Sequence, residues 1–194
     1  MFFRQIKLGP MENFSYIIGD SETKEVAVVD PGFEHEKLLK ECEENNLKIT
    51  KILLTHAHFD HITDLPALAE KTHAEIYIHE KETFQTKLKL TKIKNNEIIP
   101  LGKIKIKVIH TPGHSQGSVC FLLDDNKLLT GDTLFVGGIG RTDLPESNSE
   151  QMKNSLKKLS KLPDETEIYP GHDYGERKSS TIKWEKENNP FLGD

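Results

Sequence analysis

The sequence contains few of the residues that mark several common classes of protein. Cysteine occurs only at Cys42 and Cys120, which do not form a Cys-x-x-Cys motif, so a disulfide framework is not expected. No apolar run approaches the roughly 18 residues that a transmembrane helix needs, and the N-terminal residues lack the apolar core of a signal peptide. We therefore expect a cytoplasmic protein that does not bind a membrane.

Strong positive charge is also lacking. The formal net charge is −5, and no Lys/Arg cluster is interleaved with aromatic residues, so nucleic acid is not an expected partner. A length of 194 residues with 35% hydrophobic residues suits one core of ordinary size. We expect residues 1–194 to form a single domain, and the sequence leaves the oligomeric state open.

Histidine, in contrast, is concentrated in one short segment. The run Thr-His-Ala-His-Phe-Asp-His at residues 55–61 places His56, His58, Asp60 and His61 within six residues of one another. Neutral imidazoles and a carboxylate are the mixture of ligands that zinc or iron accepts in proteins. The spacing therefore predicts a metal site.

Strand and helix patterns alternate along the chain and predict an α/β fold. Ser149–Leu159 has the spacing of an amphipathic helix, whereas Lys81–Leu90 is predicted to be helical or irregular. The other predicted helices are Glu34–Asn45 and Thr63–Lys71. The predicted strands are Phe2–Leu8, Phe14–Ile18, Glu25–Val29, Ile49–Leu54, Glu75–His79, Ile104–Val108, Ser118–Leu123, Lys127–Thr130 and Glu167–Tyr169.

Three further candidate ligands each follow a predicted strand. His114, Asp132 and His172 lie in such loops, and each has a glycine beside it in the sequence. Active sites of layered α/β folds collect in loops at strand ends, so residues far apart in sequence can meet there. We expect these three side chains to join the 55–61 segment in one site.

These motifs resemble the metallo-β-lactamase superfamily, and within it a single-domain branch similar to glyoxalase II, which hydrolyses thioesters. The resemblance covers nearly the whole chain. It rests on THAHFDH at 55–61, TPGHSQGS at 111–118, TGDTLF at 130–135, GIGRTD at 138–143 and YPGHDY at 169–174. It implies a four-layer αββα sandwich with metals at the edge where two sheets meet.

The resemblance also implies a role for each ligand. One metal ion would be held by His56, His58 and His114, and the other by Asp60, His61 and His172, with Asp132 bridging the two. Two divalent ions are expected, with zinc first and iron or manganese as alternatives. Asp60 and Asp132 are the predicted catalytic residues, acting with a metal-bound hydroxide that attacks a small-molecule thioester such as S-lactoylglutathione.

The substrate-binding residues implied by the resemblance are Arg141 and Tyr174. Arg141 could equally form a structural salt bridge with Asp143, which stands where the family has a tyrosine. Only a short segment follows His172, so no separate C-terminal glutathione-binding helical domain is expected. Asp30 and Thr55 are candidates to orient the histidines.

A second activity remains open because persulfide dioxygenases share this fold and similar motifs at 138–143 and 171–174. In that case His56, His114 and Asp132 would hold a single iron. The residues at 115–118 and 132–135 favour the hydrolase. His35, His73 and His79 are expected to lie outside the site, and His110 is as well suited to packing as to supporting it.

Overall fold

Two six-stranded sheets form the framework of residues 1–192, the part of the chain that the computed structural model describes. The strands of the first sheet follow chain order: β1 (Phe2–Leu8), β2 (Asn13–Gly19), β3 (Glu25–Val29), β4 (Lys48–Leu53), β5 (Glu75–His79) and β6 (Leu90–Ile93). Strands β1 to β3 are antiparallel, and β3 to β6 are parallel. Parallel neighbours cannot be joined by a short hairpin, so this part of the sheet needs crossover connections.

The second sheet runs in the order β12-β11-β10-β9-β8-β7. Its strands are β7 (Ile98–Leu101), β8 (Ile104–His110), β9 (Val119–Leu123), β10 (Lys127–Gly131), β11 (Glu167–Pro170) and β12 (Ser180–Thr181). Only the β10–β11 pair is parallel. The helices are α1 (His35–Glu44), α2 (Phe59–Ile62), α3 (Leu65–Thr72), α4 (Ser149–Leu159) and α5 (Ile182–Asn188).

Three apolar clusters lie between four layers, because alternate residues of each strand face opposite sides of its sheet. Phe121 of β9 packs between the two sheets, whereas the adjacent Cys120 faces α4 and α5. In β3, Ala27 faces the second sheet and Val28 faces α1 and α3. This arrangement confirms the predicted αββα sandwich.

The predicted elements agree with the structure where the apolar pattern is strong. Helix α4 has the predicted bounds, and α1 differs by one residue at each end. Lys81–Leu90 is not helical; it is irregular up to the start of β6. Strand β6 is extended because it pairs with β5. The pattern did not predict α2, α5, β6, β7 or β12, which are short and polar or depend on neighbouring elements.

The two sheets meet at one edge, where backbone hydrogen bonds join them. Phe14 at the start of β2 donates its N–H to the carbonyl of Gly171, at 2.7 Å, and Val119 donates to the carbonyl of Thr55, at 2.9 Å. The loops that follow β3, β4, β8, β10 and β11 lie at this edge. Separately, the helices described between residues 1 and 192 include none long and apolar enough to cross a membrane.

Candidate metal centre

Six of the seven predicted ligands form two adjoining groups at the sheet edge, and the seventh, Asp132, lies between these groups. The outer group consists of His56, His58 and His114, and the inner group consists of Asp60, His61 and His172. In each group the potential ligand atoms lie within 4.8 Å of one another. The structure therefore brings together residues that lie more than a hundred positions apart in the sequence.

Asp132 lies between the two groups, in the loop after β10. One carboxylate oxygen is 3.3 Å from His61 Nε2, and the other is 3.5 Å from His114 Nε2 and 3.3 Å from His172 Nε2. Asp60 Oδ2 is 3.4 Å from His172 Nε2, on the far side of the inner group. Two carboxylates and several imidazole nitrogens thus face a small common volume.

The local backbone of this region differs from the loop that the sequence predicted. Asp60 and His61 lie on α2, a four-residue helix, and His58 is the residue that precedes it. The N–H of His61 donates to the carbonyl of His58, at 3.0 Å. This single turn places His58 toward the outer group and His61 toward the inner group.

Two of the neighbouring glycines are required by crowding and backbone shape. A Cβ atom at Gly171 would lie 2.3 Å from Asp132 Oδ1. Gly131 has φ +49°, in the left-handed region, and a Cβ there would lie 2.5 Å from Thr55 Oγ1. Both glycines let the loops approach the cluster closely.

Each histidine of the inner group is oriented by an acceptor behind it. His61 Nδ1 donates to Asp30 Oδ2 at 3.1 Å, and His172 Nδ1 donates to the carbonyl of Met11 at 2.9 Å. A neutral imidazole that donates from one nitrogen presents a lone pair at the other. Both Nε2 atoms therefore face the cluster as potential ligands.

The outer histidines are oriented in the same way. His114 Nδ1 donates to the carbonyl of Arg141 at 2.9 Å, and His58 Nε2 donates to Glu146 Oε1 at 2.6 Å. His56 Nδ1 lies 3.1 Å from Thr55 Oγ1, whose hydroxyl already donates to Asp30. His56 and His114 thus present Nε2, and His58 presents Nδ1. Such outer acceptors fix ligand orientation and raise basicity at metal sites.

The unpartnered atoms of the cluster test whether metal ions fit. His56 Nε2, His114 Nε2 and Asp132 Oδ1 are buried and have no hydrogen-bond partner. A buried polar atom without a partner costs about 1–3 kcal/mol, and here all three belong to the same cluster. Imidazole nitrogens and carboxylate oxygens are ligands of zinc and iron, so the residues present fit divalent metal ions.

The pKa shifts of Asp60 and His172 both arise from attraction between the carboxylates and the imidazoles of the cluster. Burial alone would raise the pKa of Asp60, but His172, His61 and Asn13 outweigh it and lower the pKa to about 2. Burial alone would lower the pKa of His172, but hydrogen bonds to Asp132 and Asp60 raise it to about 9. The carboxylates therefore favour positive charge at this point, which a divalent cation supplies.

Three further residues support the cluster, and two of them carry no motif that would have marked them. Asn13 Nδ2 donates to Asp60 Oδ2 at 2.8 Å. The buried carboxylate of Glu82 accepts from the N–H groups of Ala57 and Gly117 and so joins the loops that carry the outer histidines. Asp30, predicted from the sequence, accepts from Thr55 N, Thr55 Oγ1 and His61.

The two predicted substrate-binding residues line a cavity of about 560 Å³ above the cluster. Arg141 donates to both oxygens of Asp143 at 2.9 Å, so the alternative salt bridge is formed. Tyr174 stacks on His172 with ring centroids 4.5 Å apart, and its hydroxyl donates to the carbonyl of Met11. Their contact with substrate stays a prediction.

The remaining histidines lie outside the two groups. His35 pairs with Asp64 at 2.9 Å, and His73 ends α3 with φ +53°. His79 and His110 stack on each other with ring centroids 3.9 Å apart. His110 Nε2 also donates to the carbonyl of Gln116, at 3.0 Å, so His110 both packs on His79 and contacts the loop after His114.

Two curated proteins match nearly the whole chain. The chain is 33% identical over 184 residues to a probable polyketide biosynthesis zinc-dependent hydrolase, BaeB, of Bacillus velezensis, covering 93% of this chain and 81% of that protein. It is 35% identical over 197 residues to the hydroxyacylglutathione hydrolase GloC of Haemophilus influenzae, covering 91% of each.

A solved structure shares the whole architecture. The crystal structure of ETHE1 from Myxococcus xanthus superposes with a TM-score of 0.91 at 36% identity, over 98% of this chain and 84% of that one. Residues 8–172, which include all seven clustered side chains, match the metallo-beta-lactamase superfamily. The chain therefore belongs to the metallo-β-lactamase superfamily.

Proposed function

We propose that this protein is a metal-dependent hydrolase of thioesters, with S-lactoylglutathione or another hydroxyacyl thioester as substrate. The observation that carries the proposal is the cluster of five oriented histidines and two carboxylates at the floor of an open cavity. Its similarity to GloC supports the thioester as the substrate class.

The outer group would hold one metal ion and the inner group a second, with Asp132 between them. When bound, divalent ions make water nucleophilic at neutral pH and polarise a carbonyl. Zinc is supported by the similarity to BaeB, and iron or manganese would suit the same donors.

The chain's own residues supply position and charge. Asp60 and Asp132 stay ionised because the surrounding imidazoles lower the pKa of both. A departing thiolate, with a typical pKa near 8.5, needs little help from a protein acid. The pocket therefore needs to orient the thioester over the cluster rather than to provide an acid.

One observation favours the second activity, a persulfide dioxygenase with a single iron. Among the seven clustered ligands, the buried atoms without a hydrogen-bond partner belong to His56, His114 and Asp132, which is a set of two histidines and one carboxylate. Non-haem iron oxygenases use such a triad. The similarity to ETHE1 supports this alternative.

One experiment distinguishes the two activities. Zinc-loaded and iron-loaded proteins are assayed for free-thiol release from S-lactoylglutathione, and oxygen uptake on glutathione persulfide is recorded in parallel, with chelated protein as the control. We expect metal-dependent thiol release without oxygen uptake. Oxygen uptake without thioester cleavage would replace the hydrolase by the dioxygenase.

A further inference from the structure

The cavity above the cluster has walls that are mostly apolar. Once the clustered ligands are set aside, two charged side chains, Arg141 and Glu146, remain in the wall. All other wall residues are aliphatic or aromatic: Met11, Phe59, Phe135, Ile139, Leu144 and Tyr174. The part of the cavity that would face the substrate therefore offers apolar contact far more than hydrogen bonding.

Several of these apolar side chains are open to solvent. Phe59 is 65% exposed, Tyr174 is 55% exposed and Met11 is 37% exposed, and all three lie around the same cavity. Leaving large apolar side chains in water forgoes the free energy of burial, and their clustering marks a binding surface. The apolar portion of a bound substrate would cover these side chains.

The charged residues of the wall are already paired. The guanidinium of Arg141 donates to both carboxylate oxygens of Asp143, and Glu146 accepts from His58. Among the described lining residues outside the clustered ligands, Arg141 is the single cation, and the opposite charge of Glu146 balances it. A glutathione thioester brings two carboxylates and one ammonium group, which would lose water here without free partners.

We propose that the cavity selects thioesters with an uncharged aliphatic or aromatic acyl chain on an uncharged thiol, in preference to glutathione thioesters. Phe59 and Leu144 are the specificity-determining residues. The inference rests on the proposed thioester hydrolysis, and it replaces glutathione, the carrier named there, by an uncharged thiol.

The first test measures kcat/KM for acetyl, butyryl, hexanoyl and octanoyl thioesters of N-acetylcysteamine with the metal-loaded protein, beside S-lactoylglutathione. Each methylene that enters the cavity gains up to about fourfold, since burial is worth about 0.8 kcal/mol per methylene. We expect kcat/KM to rise at least about tenfold from acetyl to octanoyl. A flat series, or a higher value for S-lactoylglutathione than for the octanoyl thioester, would overturn the proposal.

Variants locate the effect in this cavity. Phe59→Ala and Leu144→Ala should each reduce the octanoyl-to-acetyl ratio of kcat/KM about threefold or more. Leu144 is not adjacent to a ligand in the sequence, so it provides a second test if Phe59→Ala alters metal retention. Phe191→Ala is the matched control, because Phe191 is 54% exposed but lines a different groove. An unchanged ratio in both cavity variants would contradict the assignment.

A binding measurement separates the cavity's preference from catalysis. Calorimetry compares the non-hydrolysable thioethers S-octyl-N-acetylcysteamine, S-ethyl-N-acetylcysteamine and S-octylglutathione. We expect the octyl ligand of the neutral thiol to bind at least about tenfold more tightly than the ethyl ligand, and more tightly than S-octylglutathione. This result with no cleavage of any thioester would refute the hydrolase and leave the preference standing. Tighter binding of S-octylglutathione would refute the preference itself.

Discussion

The inner and outer groups of the cluster have the same chemistry but are held in different ways. The side chains of His61 and Asp30 are 1% and 3% exposed, and Asn13 and the Met11 carbonyl complete a buried setting. In the outer group, His58 is 22% exposed and is held by Glu146, which is 46% exposed. Arg141 and Glu146, which hold two of the three outer histidines, belong to one surface loop.

This difference has a consequence for metal binding. Buried, fully partnered ligands are preorganised, whereas ligands held by an exposed loop must be ordered when the metal binds. We therefore expect the inner position to retain metal more firmly than the outer position. The predictions below test or refine this difference, from the largest effect to the smallest.

Asp132→Ala should abolish the difference by impairing both groups, because Asp132 faces His61, His114 and His172. Activity should fall at least about a thousandfold, and both metal ions should be lost on dialysis. Metal content by elemental analysis and thiol release are the measurements. Full turnover by this variant would refute the assigned role of Asp132.

Asp30→Asn should act mainly on the inner group, because Asp30 contacts His61 directly and reaches His56 only through Thr55. The amide nitrogen would donate to His61 Nδ1, so that His61 carries its proton on Nε2, where the metal should bind. Metal affinity should fall about 10- to 100-fold, measured by competition with a chelator. Asp64→Asn is the matched control, since Asp64 also pairs with a histidine, His35, but this pair lies outside the cluster. Equal losses in both variants would indicate general destabilisation instead.

The inner group should also make the metal-free protein sensitive to pH. The folded-state pKa of His172 is raised to about 9, so its contribution is complete below the unfolded pKa near 6.5 and is lost as pH rises through about 9. The loss should be on the order of 2–3 kcal/mol. Urea unfolding of chelated protein between pH 6 and 10 measures it, and metal-loaded protein should show a smaller decline. An identical decline in both forms would contradict the placement of His172.

Glu146→Gln should weaken the outer group without affecting the fold. The amide oxygen can still accept from His58 but lacks the charge that strengthens this bond. Affinity for the more weakly held metal should fall about tenfold, while stability changes by less than about 0.5 kcal/mol. Glu150→Gln, at an exposed position in the first turn of α4, is the control. If Glu146→Gln instead weakened the more tightly held metal, the outer group would be the tighter site, and the expected order of the two groups would be wrong.

Tyr174→Phe should have the smallest effect. It removes the hydrogen bond to the Met11 carbonyl but keeps the ring that stacks on His172. We expect KM to rise about two- to fivefold for S-lactoylglutathione with kcat retained, because one exposed hydrogen bond is worth about 0.5–1 kcal/mol. Steady-state thiol release measures both constants. A large loss in kcat with unchanged KM would assign Tyr174 to the cluster rather than to substrate binding.

The amino-acid sequence by itself determined the alternation of strands and helices and the identity of the clustered side chains, whereas the four-layer arrangement was implied by the family resemblance. Alternation in β8 and β9 and the amphipathic spacing of α4 define which faces are buried, since these patterns report directly on side-chain direction. Histidine and aspartate at fixed positions in four of the five motifs were sufficient to name the seven side chains that meet.

Only the tertiary structure decided how those side chains are held. Asn13, Glu82 and Glu146 lie 47, 25 and 88 positions from the residues that they contact, and no local pattern encodes such contacts. The exposure of Phe59 likewise depends on how the neighbouring elements pack. A sequence specifies chemistry residue by residue, whereas hydrogen-bond partners and exposure depend on which surfaces the packed sheets bring into contact.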